Sequence, residues 1–167
     1  MMNTIKSTIH TEAIFSDDEQ HRYLLKKTWD ENKPACTVIT MYPHLDGVLS
    51  LDLTTVLILN QLANSEQYGD VYLVNLFTNI KTPENLKHIK EPYDETDIHL
   101  MKAISESDTV ILAYGAYAKR PVVVERVEQV MDMLKTHKKK VKKLINPATN
   151  EIMHPLNPKA RQKWTLK

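Results

Sequence analysis

Cysteine and glycine are scarce in this chain, and long apolar runs are missing. The single cysteine, Cys36, excludes an intramolecular disulfide and a cysteine-cluster metal site, and it fits a reducing cytoplasm. The three glycines are Gly47, Gly69 and Gly115. Walker and dinucleotide-binding fingerprints need closely spaced glycines, so both are absent. No apolar stretch approaches the ~18 residues of a membrane helix. Met1 to His10 lack the apolar segment of a signal peptide.

What is present suits one compact domain. A chain of 167 residues can bury roughly 70% of its unfolded surface without metal or disulfide staples. Apolar residues make up 42% and charged residues 26%, an ordinary soluble composition. There is no internal repeat or low-complexity linker. Residues 1–20 are polar and mixed and read as a flexible or edge lead-in, with one domain over residues 21–167.

The net charge of +1 hides an asymmetry: residues 1–118 carry 9 Lys/Arg against 17 Asp/Glu, and residues 119–167 carry 13 against 4. Six lysines fall between Lys135 and Lys143. A bipolar chain of this kind suits a polyanion meeting one face. A solvated lysine run at a helix end is the equal alternative.

Four β-branched, apolar segments read as strands: Ala35 to Met41, Val71 to Phe77, Thr109 to Tyr114, and the shorter Val141 to Ile145. Arg22 to Trp29 fits a strand or a short helix equally well. Helices are expected over Val48–Asn64, Asp94–Glu106 and Pro121–His137, the last opening on a proline suited to a first turn. Strands without clean alternation, separated by helices, predict a three-layer α/β/α fold around a mainly parallel, roughly four-stranded sheet. Ligands in such sheets gather beyond the carboxyl ends of the strands. Those ends carry Tyr42-Pro43-His44-Leu45-Asp46, Asn75-Leu76-Phe77, Tyr114 to Arg120, and later His154-Pro155-Leu156.

These motifs carry a resemblance. The chain resembles the bacterial domain of unknown function family sixteen-forty-three, whose pattern runs Asn-Pro-Ser-Thr-Ala-Asp, Asp-Pro-Thr, Asn-Leu-Phe with Thr-x-Pro-x-x-Leu, Asn-Asp-x-x-Leu, Trp-Gly and His-Pro-Leu. The matching residues are Tyr42-Pro43-His44, Asp52-Leu53-Thr54, Asn75-Leu76-Phe77 with Thr82-Pro83-Glu84-Asn85-Leu86, Asp97-Ile98-His99-Leu100, Tyr114-Gly115 and His154-Pro155-Leu156. More remotely, the same order resembles the uracil-DNA glycosylase superfamily, a parallel α/β/α fold. There, a first-strand loop with proline, an Asn-ending strand, a Trp-Gly-x-x-Ala strand end and a late His-Pro-Ser loop surround the base.

That second resemblance implies roles. Asn75 would read the edge of a flipped uracil, and His154 would stabilise the anion that develops on the leaving base. Tyr42, His44 and Phe77 would surround the base. Tyr42 stands where the superfamily has an acid or amide, and a phenol with a normal pKa of ~10 is a poor base at neutral pH; Asp46 or Asp52 would then supply the carboxylate. Lys119, Arg120, Lys138, Lys139 and Lys140 would contact DNA, weakly and with steep salt dependence. The resemblance further implies DNA-mimic inhibitor proteins as partners, and no cofactor.

Read without the resemblance, these residues have plainer roles. Asn75 caps a strand end, His154 belongs to a surface loop, Phe77 and Tyr42 sit in the core, and Asp52 favours a helix N-terminus. His10, His21, His88, His99 and His137 form no zinc constellation. Three functions follow: a uracil-DNA glycosylase-like protein with weak or altered excision, a non-catalytic nucleic-acid or protein-binding module, and an enzyme acting on free nucleotides.

Overall fold

The computed structural model describes residues 1–80 and 93–167. The Thr82–Leu86 motif and His88 lie outside the described residues. The strands are β1 His10–Phe15, β2 Arg22–Thr28, β3 Ala35–Thr40, β4 Asp70–Asn75, β5 Thr109–Leu112 and β6 Val141–Lys143. The helices are α1 Leu53–Asn64, α2 Asp94–Glu106, α3 Pro121–Met133 and α4 Pro158–Gln162.

The strands form one six-stranded sheet in the order β1-β2-β4-β3-β5-β6. Pairings among β4, β3, β5 and β6 are parallel, while β1 with β2 and β2 with β4 are antiparallel. The expected count of roughly four strands therefore becomes six. The four parallel strands are those read from the sequence, and a hairpin built from the lead-in and from Arg22–Thr28 extends the sheet beyond β4. Within residues 1–20, expected as a flexible or edge lead-in, His10 to Phe15 form the edge strand β1 and pair with β2.

β3 shows why the central strands do not alternate. All six of its residues are buried, and successive side chains point to opposite faces. Ala35 and Ile39 join Leu100, Ala103 and Ile104 of α2 and Val123 and Val130 of α3. Cys36 and Val38 join Ile58, Leu59 and Leu62 of α1 and Ala160 of α4. Thr37 is polar but satisfied, because its hydroxyl meets Ala103 O at 2.9 Å and Ser107 Oγ at 2.7 Å. Among the described residues no helix is long and apolar enough to cross a membrane.

Several expected boundaries move, and β3, β4 and β5 end at Thr40, Asn75 and Leu112 rather than at Met41, Phe77 and Tyr114. α1 begins at Leu53 rather than Val48, because Asp52 is its N-cap and accepts from Thr55 N–H at 2.7 Å. The preceding segment cannot be helical, since its carbonyls are taken by cations of β2. Arg22 Nη1 donates to Leu45 O at 2.6 Å and Asp46 O at 3.3 Å, and Lys27 Nζ donates to Val48 O at 3.0 Å. α3 gives way at Leu134 to a 3-10 segment through Lys140. Ile145 lies past the end of β6 and bridges to Ile152, while Leu144 bridges to Leu166. α2 spans the expected residues.

A buried ion pair ties α3 to α2 and to the end of β4. Arg126 is 3% exposed; its Nε donates to Leu76 O at 2.9 Å, its Nη2 to Asp97 Oδ1 at 2.6 Å, and its guanidinium lies 4.1 Å from the Tyr93 ring centroid. Removing Arg126 strands a buried carbonyl, whereas Asp97 is partly exposed and rehydrates. Arg126→Leu is expected to cost about 2–4 kcal/mol and Asp97→Asn about 1 kcal/mol, as read from urea unfolding at neutral pH. Equal losses would place the stabilisation in the ion pair rather than in the carbonyl contact.

Candidate functional site

Parallel pairing brings the segments after β3 and β5 to one rim, and His154 joins them. Met153 N–H donates to Leu144 O at 2.7 Å, which brings His154 against the end of β5. A cavity of about 210 Å³ results, lined by Met41, Tyr42, His44, Tyr114, Gly115, Ala116, Tyr117 and His154. Its walls are aromatic rings and imidazoles, which suits a planar, partly polar ligand. Tyr42 and His44 meet edge to face, with centroids 5.8 Å apart.

Gly115 permits this closeness. Its φ of +79° with ψ of −179° lies in a region essentially open only to glycine. A Cβ there would stand 2.9 Å from His154 Cβ and 3.3 Å from His154 N. The Tyr114-Gly115 motif is thus a requirement of backbone shape and of the histidine beside it.

His154 is held neutral. Burial pushes its pKa down to about 4, the nearby His44 adds to this, and Asp52 opposes it. Its Nδ1 accepts from Leu156 N–H at 3.2 Å, so the neutral ring carries its proton on Nε2 and can donate from there. Burial also raises the Tyr114 hydroxyl pKa, which keeps that group protonated.

The other expected site residues are placed as follows. Asn75 is 2% exposed and donates from Nδ2 to Thr40 Oγ1 at 2.7 Å; it does not line the cavity. Its Oδ1 is buried without a partner among the described residues. Phe77 sits in the core against Tyr93. His44 is shared with a second cleft of about 390 Å³ lined by Phe15, Glu19, His44, Leu45, Asp46, Val48 and Ile80. Asp46 lies there, with Oδ1 accepting from Val48 N–H at 2.9 Å.

The cations divide into two groups. Lys119 and Arg120 follow β5 at the rim; Lys119 pairs with Glu151, and Arg120 lies 4.2 Å from the Tyr117 ring centroid. Lys138 and Lys139 are exposed and precede β6, at the opposite end of the sheet from the cavity. Lys140 Nζ is engaged by Ile104 O and by Ser107 O at 2.8 Å, so it terminates α2. Among the described residues no three His, Cys, Asp or Glu side chains gather in a metal-holding group.

Sequence reasoning missed Arg22 and Lys27. Both are 3% exposed, and they anchor the loop that carries His44 and Asp46. Burial lowers the Arg22 pKa to about 10 against the pull of Asp52 and Asp46. Lys27 is also lowered, by burial first and by Arg22 second. Basic residues in a strand ordinarily read as solvent-facing, so the sequence held no signal for this role. Tyr114 and Tyr117 were visible only as part of a strand-end motif.

The imidazole gives a direct test. The His154 ring is expected to titrate near 4 rather than 6.5, as read from its NMR shifts. The unfolded ring binds its proton at the higher pH, so this component of stability is present above about 6.5 and is lost as pH falls toward 4. His154→Gln should remove that component. Gly115→Ala should cost ~1–3 kcal/mol and move the histidine titration upward as the ring becomes hydrated. A native His154 titrating at its ordinary value would contradict the enclosed site.

No curated protein and no solved structure matches the chain. A family model does, that of DUF1643, described as a protein of unknown function, over residues 22–156. The match opens at the first residue of β2 and closes just after His154, so it holds the parallel strands and every residue lining the rim cavity. The chain belongs to the DUF1643 family.

Proposed function

We propose that this chain is a uracil-DNA glycosylase-like protein on a three-layer α/β/α fold, one that binds DNA, takes a nucleobase into the rim cavity and hydrolyses the N-glycosidic bond slowly. The reading rests on His154, a neutral imidazole with its proton on Nε2, lining an aromatic cavity at the carboxyl ends of parallel strands. Glycosidic cleavage sends the bonding electron pair onto the base, and a neutral donor near the base oxygen stabilises that anion. Water then adds to the sugar carbon and releases its proton, giving free base and an abasic sugar. Two carboxylates stand near enough to be candidates for orienting that water: Asp52, which acts on His154, and Asp46, on the loop beside His44 and lining the neighbouring cleft.

Two observations argue for slow chemistry. By the resemblance, Tyr42 stands where the superfamily loop has its acid or amide. Asn75 lies beneath the rim and is bonded to Thr40, so a base reaches it only if that contact opens. The orphaned Asn75 Oδ1 is the polar group that such an opening would satisfy. The same two observations favour the second reading, a nucleic-acid or protein-binding module without excision.

Uracil excision from single- and double-stranded oligonucleotides, scored by cleavage at abasic sites, separates the two. Weak native excision is expected, falling ~10²–10³-fold in His154→Ala and falling also in Asn75→Ala. Tyr42→Asp should raise it, and Asp46→Ala should lower it. No excision by the native protein or by Tyr42→Asp would leave the binding-module reading. Activity that survives both His154→Ala and Asn75→Ala would belong to other residues.

DNA binding should weaken steeply with salt. Replacing Lys138 and Lys139 together by Ala should lower the log–log salt slope by roughly 0.7 per lost contact on a single strand. An unchanged slope would make them a solvated face. Lys140 is omitted because its replacement would also uncap α2.

A further inference from the structure

The rim is electrically one-sided. β1 and β2 lie at one edge of the sheet and β6 at the other, and the cavity lies between them, after β3 and β5. The turn joining β1 to β2 stands at the rim end, because Arg22 N–H donates to Thr78 O and Ile80 N–H to Gln20 O, just beyond β4. That turn exposes Asp17, Asp18 and Glu19. Asp18 is held below its usual pKa by the Ser16 hydroxyl and Gln20 N–H. Asp46 and Asp52 face the buried Arg22, and His21 is the basic group acting on Asp18, which leaves the turn acidic on balance among the described residues.

The opposite flank is basic. Residues 165–167 run antiparallel to β6, with Lys143 and Lys167 exchanging backbone hydrogen bonds and Ile145 N–H donating to Thr165 O. That direction puts Lys163 at the rim end and Lys167 beside Lys143. Lys159, Arg161, Lys163, Lys143 and Lys142 are exposed, with Lys138 and Lys139 further down the same edge. From Lys135 to Lys167 the sequence holds one acidic residue, Glu151, and Lys119 neutralises it.

We infer that the rim accepts a polyanion on one flank of the cavity only: a single-stranded nucleic acid runs from the cavity over the β5–β6 side and down the β6 edge, and the Asp17–Glu19 turn stops it on the other side. The acidic turn, between β1 and β2, lies two to three strand spacings from β3, ~10–14 Å, of the order of the Debye length of about 8 Å at physiological salt. Phosphates passing that way are repelled, and the repulsion grows as salt falls. A duplex, which brings phosphates to both flanks, fits this rim less well than a single strand. The base in the cavity is therefore read best near one end of a strand. This last step rests on the proposed base pocket; the basic tract does not.

Short single strands of equal length test it, each carrying one non-hydrolysable deoxyuridine analogue at the 5′ end, the centre or the 3′ end, with a uracil-free strand alongside. Anisotropy at low salt should show the two terminal strands differing by roughly threefold, with the central one between them and the difference shrinking as salt rises. The triple variant Asp17→Asn, Asp18→Asn, Glu19→Gln should erase the difference by strengthening the weaker strand; the Asn at 18 keeps the turn's hydrogen bonds. On the native protein, the uracil-free strand should shift the backbone amides of Lys143, Arg161 and Lys163 and leave Asp17 to Glu19 unmoved. Shifts on both flanks, or on neither, overturn the inference. Shifts confined to the β6 flank with equal binding of both terminal strands uphold the tract and count against the base pocket.

Discussion

Two buried cations on β2 decide the shape of the loop on which the rim is built. Arg22 and Lys27 lie on a strand inside the sheet; Arg22 donates to the carbonyls of Leu45 and Asp46, and Lys27 to that of Val48 and to Thr11 Oγ1. A buried cation without partners is costly, and the loop's main-chain acceptors offset much of that cost. The consequence travels along the chain. Those carbonyls cannot join a helix, so α1 starts only at Leu53, capped by Asp52, and residues 42–48 are held across the end of the sheet. Gly47 completes the arrangement: at φ +75° it packs on Leu25, and a Cβ there would collide with that side chain and lie 3.0 Å from Arg22 Nη1.

A second close approach closes the cavity from the other side. Gly115 has no Cβ, so His154 can sit against the end of β5, and enclosure then keeps its ring neutral. The histidine's hydrogen-bonding state is thus a product of backbone geometry at a different residue. No Asp, Glu, Lys or Arg lines the cavity; those charges stand further out, acidic toward β1 and basic toward β6. That separation follows from the strand order, since the sheet places the acidic amino-terminal hairpin and the lysine-rich carboxyl-terminal third at opposite edges.

Much of the architecture was legible beforehand. The runs at Ala35–Met41, Val71–Phe77 and Thr109–Tyr114 are β-branched and apolar because both faces of the strands they hold are covered, and this pattern marks buried parallel strands. α2 was readable to the residue from Ile98, Met101 and Ile104 at helical spacing, although Ile98 is 60% exposed and Leu100, Ala103 and Ile104 are its buried apolar residues. β2 was not, because its buried residues are Arg22, Leu24, Leu25 and Lys27, a mixture of basic and apolar positions that periodicity cannot assign. Of the rim residues, Tyr42, His44 and His154 were named from motifs and do meet in one cavity. Asn75 and Phe77, named by the same reasoning, lie beneath it.

The sequence by itself determined the element types, the parallel core and the uneven charge, because these follow from local side-chain chemistry and its spacing along the chain. Tertiary structure alone decided that Arg22 and Lys27 are buried, that Lys140 caps α2 while Lys138 and Lys139 stay in solvent, that Asn75 bonds to Thr40, and that His154 is neutral. Each of these depends on which polar groups distant segments bring within hydrogen-bonding reach and on how much water remains around them. Neither quantity is written in the order of the residues.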